Sequence, residues 1–167
     1  MLYDILARID TKFCFQQVSA HCDIPCKVYD PISAQIAALT IIRMVDLLGE
    51  LQTSSSLSLA QQAQFLRCVN QKELHGLKVK EEINIIWGDY FKAPQIKQFP
   101  ELHDLVHNIM LASSKAKQHI SKEDALALLT LVNRFAEIFW TTKQVNTYIA
   151  TCPYPPAQSI VYPALSV

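Results

Sequence analysis

Four stretches of the chain repeat apolar residues at helical spacing, and none alternates apolar with polar residues as a half-buried strand does. The first carries Ile36, Leu39, Ile42, Met44, Val45 and Leu48 and stops near Gly49. Asp30 reads as its N-cap and Pro31 as its first helical residue. Residues 52–56 are a polar turn. Ser58, with Gln61 three positions later, is a capping box that opens the second stretch. That helix runs to about Trp87 or Tyr90 through Phe65, Val69, Leu77, Ile83 and Ile86. Gly76 in its interior costs about 1 kcal/mol relative to alanine, so a bend or a close helix contact is expected there. Pro94 and Pro100 bracket a connector, and a third helix follows with Leu102, Leu105, Val106, Ile109 and Met110. Ser121, with Asp124 behind it, starts a fourth that reaches residues 142–145 through Leu126, Leu129, Val132, Phe135, Ile138 and Phe139. The spacing predicts an all-α, up-down four-helix bundle over residues 31–146. Beyond it, residues 147–167 hold four prolines and few charges and should form an extended tail.

With 167 residues the chain has room for one domain with a real core. Lys+Arg and Asp+Glu number 15 each, which excludes nucleic-acid binding by bulk charge. The three glycines, Gly49, Gly76 and Gly88, lie too far apart to build a phosphate-cradling loop. No uninterrupted apolar run reaches the ~18–20 residues that cross a bilayer, so no membrane association is expected. Leu2, Ile5, Leu6 and Ile9 form a short amphipathic stretch, but Asp4, Arg8, Asp10 and Lys12 interrupt any secretory run. Val18-Ser19-Ala20 has the small-residue character of a processing site, so export is not expected and removal of residues 1–20 as a leader stays open. Five cysteines are an odd and thinly spread set, which points to reduced thiols and a cytoplasmic protein.

Chemistry concentrates in residues 21–31, HCDIPCKVYDP, a loop with two prolines and no helical period. Cys22 and Cys26 stand four apart across a proline-containing turn, beside His21. From spacing alone, a redox or disulfide pair and a metal site are equally open. Structural zinc sites use two Cys/His pairs, and no second pair is visible. If the chain is cut before His21, the new terminal amine and the Cys22 amide nitrogen join the two thiolates. Two nitrogens and two sulfurs make a square plane, which favours nickel(II) or copper(II), with the His21 imidazole available as an axial ligand.

HCDIPCKVYDP resembles the amino-terminal nickel hook of the nickel-containing superoxide dismutases, whose pattern is H-C-D-x-P-C-x-V/I-Y-D-P. The downstream segment WGDYFKAPQIKQFPELHDLV, residues 87–106, is similar to that family's W-x-D-Y-F-K-x-P…P-E-L-H. So is Ile138-Phe139-Trp140 followed by Thr142-Lys143. The likeness covers residues 21–143 in the right order.

The resemblance implies removal of the leader between Ala20 and His21 by a maturation protease. It makes the His21 amine, the Cys22 amide nitrogen and the Cys22 and Cys26 thiolates equatorial ligands of one nickel ion per subunit. The His21 imidazole becomes the axial ligand of the oxidised state. The implied activity converts superoxide to dioxygen and hydrogen peroxide as nickel cycles between two and three positive charges, in a homohexamer. Tyr29 matches the family tyrosine placed to gate or hydrogen-bond superoxide, and Asp23 matches a residue expected to order the hook through its backbone. Residues 21–30 are thus the expected nickel hook.

Two departures stand out. Lys27 replaces a glycine common among relatives and adds a positive charge that could steer superoxide. Where better-known members place a glutamate and an arginine around the axial histidine, this chain aligns Ala37 and His75. Partners of that kind set ring orientation and ligand basicity. Among the remaining candidates, Cys68 reads as a buried small hydrophobe, and Cys14 and Cys152 take no role. His103, His107 and His119 read as surface or interface residues, and Trp87 and Tyr90 as packing residues. Two rival readings stay open: a non-catalytic nickel or zinc carrier or sensor using the uncut Cys22/Cys26 pair, and an interaction module with a vestigial hook.

Overall fold

The structure is a computed structural model that describes residues 27–51 and 56–165. His21, Cys22, Asp23 and Cys26, the leader and Cys14 lie outside the described residues. In order, the elements are α1 (Ile32–Leu51), α2 (Leu59–Ile85), α3 (Ala93–Gln98), α4 (Leu102–Gln118), α5 (Lys122–Thr142), β1 (Thr147–Thr151) and β2 (Ser159–Pro163). Helix α2 passes directly into one π-helical turn, Ile86–Tyr90. The long helices pack in a ring, α1 on α2, α2 on α4, α4 on α5 and α5 on α1, which is the neighbour order of an up-down bundle.

The caps expected from sequence are present. The Asp30 carboxylate accepts from the Ile32 N–H at 2.8 Å. Ser58 and Gln61 exchange both capping-box bonds, at 2.9 and 3.3 Å. At the start of α5 the Ser121 hydroxyl accepts from the Asp124 N–H at 3.2 Å. These bonds satisfy backbone donors that a helix start otherwise leaves unpaired.

Gly76 marks a close contact between α2 and α4. A Cβ there would lie 2.8 Å from the Lys117 Cβ, and the Ser113 hydroxyl donates to the Gly76 carbonyl at 2.7 Å. Next to it, the buried Lys72 reaches across from α2 to the carbonyls of Ala116 and Lys117. An ammonium at that position satisfies carbonyls left open by the last turn of α4. Burial holds the Lys72 pKa below the ordinary lysine value.

Three features differ from the sequence expectations. The connector between Pro94 and Pro100 contains a short helix, because Pro94 sits in its first turn, where no intrahelical N–H is needed. The tail is not merely extended: β1 and β2 pair antiparallel, with Ile149 opposite Val161. Ile160 and Cys152 from this hairpin are buried in the core cluster. Finally, α1 is long and apolar enough by length and composition to cross a membrane, despite Arg43, Asp46 and Glu50. Its residues Ala34, Ala37, Ala38, Ile41 and Ile42 are instead fully enclosed by the bundle.

Candidate metal centre

The described chain enters the bundle at Lys27, one residue past Cys26. Lys27 has φ 58°, the left-handed region that costs a residue with a side chain roughly 1–2 kcal/mol and glycine almost nothing. That conformation supplies a physical reason for a glycine at the matching family position. Val28 is exposed, and Tyr29 then turns half-buried onto the end of the bundle.

The surface that receives Tyr29 is aromatic. Its ring centroid lies 5.9 Å from that of Tyr90, tilted by 52°. Tyr90 in turn lies 4.8 Å from Phe139 and 5.0 Å from Phe91, and Phe91 meets Phe135 edge-on at 5.6 Å. Such tilted and edge-on pairs place positive ring edges against negative ring faces. The π-helical turn is what points Tyr90 here; its closing bond runs from the Phe91 N–H to the Ile86 carbonyl at 3.3 Å. The Tyr90 hydroxyl pairs with the Thr142 hydroxyl at 2.7 Å. Lys143 holds its ammonium 4.8 Å from the Tyr90 centroid and 5.1 Å from that of Phe139. A cation over an electron-rich face fixes both partners and puts positive charge at this end of the molecule.

From sequence, Tyr90 reads only as packing. The structure makes it the contact that seats Tyr29, and Thr142 and Lys143 its supports. The signal for this is present in the sequence, since the W-G-D-Y-F-K and T-K blocks both belong to the matched pattern.

The other candidates fall elsewhere. Ala37 is buried within α1 and brings only a methyl group. His75 sits on α2 with Nδ1 2.8 Å from the Gln71 carbonyl of its own helix. His103 accepts from the Trp87 indole N–H at 3.1 Å, and His119 pairs with Asp124 at 2.9 Å. Among the described residues no three His, Cys, Asp or Glu side chains converge as a metal cluster. Cys68 and Cys152 are buried free thiols, the latter bonded to the Tyr154 carbonyl at 3.2 Å.

Fold and motif together define a class: a helical bundle whose first described helix is preceded in sequence by a thiol-and-imidazole motif. The family model for nickel-containing superoxide dismutases matches residues 16–143. A superoxide dismutase [Ni] of Streptomyces seoulensis is 33% identical over 128 residues, covering 77% of this chain and 92% of that relative. One from Streptomyces coelicolor is 32% identical over 132 residues, covering 76% and 91%. Among solved structures, a nickel-containing superoxide dismutase with nickel ligation after partial X-ray-induced reduction superposes with a TM-score of 0.64 at 32% identity. It covers 74% of this chain and 99% of the solved one. A native nickel superoxide dismutase structure superposes with a TM-score of 0.62 at the same identity. The chain belongs to the nickel-containing superoxide dismutase family. Its activity is superoxide dismutation and its cofactor is nickel. The carrier or sensor reading gains no support from these relatives.

Proposed function

We propose that cleavage between Ala20 and His21 releases the working enzyme, which dismutates superoxide in the cytoplasm as a homohexamer with one nickel ion per subunit. The observation that carries the reading is the Tyr29–Tyr90 contact at 5.9 Å. It joins the end of the HCDIPCKVYDP block to the WGDYFK block, two matched segments far apart in the chain.

The donor set fits nickel. The Cys22 and Cys26 thiolates, the Cys22 amide nitrogen and the His21 amine would hold it, with the His21 imidazole as a further ligand. Thiolate sulfur with backbone nitrogen suits a square-planar ion. Bound there, nickel would supply the one-electron exchange that dismutation needs. Two superoxide anions and two protons yield one dioxygen and one hydrogen peroxide.

The rest falls to the chain. Tyr29, seated on Tyr90, presents its phenol at the end of the hook to hydrogen-bond or gate superoxide. Asp23 orders the hook through its backbone. Lys27 and Lys143 place two cations at this end of the bundle, where they attract an anionic substrate.

Electron paramagnetic resonance of nickel-loaded protein beginning at His21 tests the reading. The expected result is a rhombic nickel(III) signal split by one axial nitrogen, together with superoxide consumption. The chain retaining residues 1–20 should show neither, because it lacks the His21 amine. Nickel bound in a silent protein that consumes no superoxide would restore the carrier reading. A silent protein without nickel would mean a vestigial hook.

A further inference from the structure

The family match ends at residue 143, and the β-hairpin lies beyond it. Its two edges are treated differently. The hydrogen bonds from the Cys152 N–H to the Gln158 carbonyl and from the Ala164 N–H to the Asn146 carbonyl set the phase of the ladder. With the observed register, Tyr148 and Ala150 bond inward to β2, and Thr147, Ile149 and Thr151 turn their N–H and C=O groups outward. On β2 the outward residues are Ser159, Val161 and Pro163.

The bundle closes the β2 edge. Gln35, itself buried, donates to the Val161 carbonyl at 2.9 Å. Asn133 donates to the Ser159 carbonyl at 3.0 Å and accepts from the Val161 N–H at 3.3 Å. Pro163 has no N–H to satisfy. The β1 edge has no such cover: among the described residues nothing bonds to the outward groups of Thr147, Ile149 or Thr151. Nor does it carry the features that keep exposed edges from pairing, since TYIAT has no charge, no proline and no bulge. Ile149 is 72% and Tyr148 52% exposed.

We propose that the outer edge of β1 docks a second copy of this chain, antiparallel, with Ile149 on the two-fold axis. The unmet groups are those of a strand, so a strand is what fits them. The strand is complementary to itself: about Ile149, Thr147 meets the second copy's Thr151, and Ile149 meets Ile149. Being uncharged, it brings no repulsion between like copies. A two-fold contact of this kind is isologous and closes on itself. It converts a two-stranded hairpin, marginal alone, into a four-stranded sheet. The second copy's Ile149 would lie on the hairpin face that carries Ile149, Ser159 and Val161, beside the cleft of about 720 Å³ between that face and α5. The family match ends at residue 143, before this contact begins.

Amide hydrogen exchange on the full chain decides it. The Thr147, Ile149 and Thr151 amides should exchange at least about tenfold more slowly at ~100 μM than at ~1 μM. Tyr148 and Ala150, bonded within the hairpin, report that the hairpin is intact at both concentrations. Ile149→Lys should abolish the slowing at Thr147 and Thr151 and leave Tyr148 and Ala150 protected; Thr147→Lys serves if the first variant loosens the hairpin. Fast exchange of the three outward amides at both concentrations would overturn the proposal. Slow exchange at both concentrations that persists in Ile149→Lys would overturn it too, since another part of the same chain would then cover the edge.

Discussion

Tyr29, which carries the chain into the bundle, is held by ring against ring: Tyr90 beneath it, then Phe139 and Phe91, with Lys143 over the stack. The hairpin is held by amides, Gln35 and Asn133, bonded to the backbone of β2. Aromatic contact fixes a side chain and makes no demand on backbone groups, which suits an approach to a loop whose backbone nitrogen is read as a metal ligand. Amide bonding saturates a strand edge and so commits the backbone itself. The first arrangement lies inside the family match; in the second Gln35 and Asn133 do, and the hairpin they hold lies beyond it. The first region is therefore built for chemistry, and the second for closing or joining surfaces.

The comparison breaks most sharply at the thiols. Cys22→Ser or Cys26→Ser should lower dismutase activity by more than about 100-fold, beyond the usual reach of an outer-sphere change. The same variants should keep the thermal stability of the metal-free protein, measured by calorimetry alongside nickel content. In the hairpin region, Gln35→Leu leaves the Val161 carbonyl without its donor and should cost about 1–3 kcal/mol in denaturant unfolding. Activity per bound nickel should not change; a parallel loss would show that the hairpin supports the catalytic end.

Smaller substitutions sharpen the aromatic side. Tyr90→Phe removes the bond to Thr142 and should cost about 1 kcal/mol. Its ring remains under Tyr29, so kcat/KM should stay within severalfold of the parent. Lys27→Gly relieves a left-handed residue worth about 1 kcal/mol and removes one cation. The variant should be slightly more stable, and its kcat/KM should depend less on ionic strength.

Acid should act at a third place. Asp124 bonds Lys115 at 2.8 Å and His119 at 2.9 Å at the corner between α4 and α5, and these bonds hold its pKa below the ordinary carboxylate value. A carboxyl depressed in the fold contributes stability above its unfolded pKa and loses it as pH falls through the folded one. The melting-temperature advantage of the parent over Asp124→Asn should therefore shrink below about pH 4.

Much of the bundle is legible in the amino-acid sequence. Asp30, Ser58 and Ser121 mark helix starts because a short polar side chain satisfies a local backbone donor, and no tertiary information enters. Apolar spacing places the four long helices for the same reason. Local pattern does not reveal the hairpin: β1 reads TYIAT, too short and too uniformly uncharged to alternate, and its pairing is decided by Ile160, Cys152, Gln35 and Asn133. The π-helical turn is equally hidden, since its one extra residue changes direction without changing composition.

By itself, then, the sequence determined the helices, their caps and the motif that identifies the chemistry, because each depends on residues within a few positions of one another. The tertiary structure alone decided that Tyr90 seats Tyr29, that Gly76 admits Lys117, that Lys72 closes the end of α4, and that one edge of the hairpin is closed and the other open. Those are contacts between segments far apart in the chain. They arise only when burial of the common core forces distant side chains to satisfy one another.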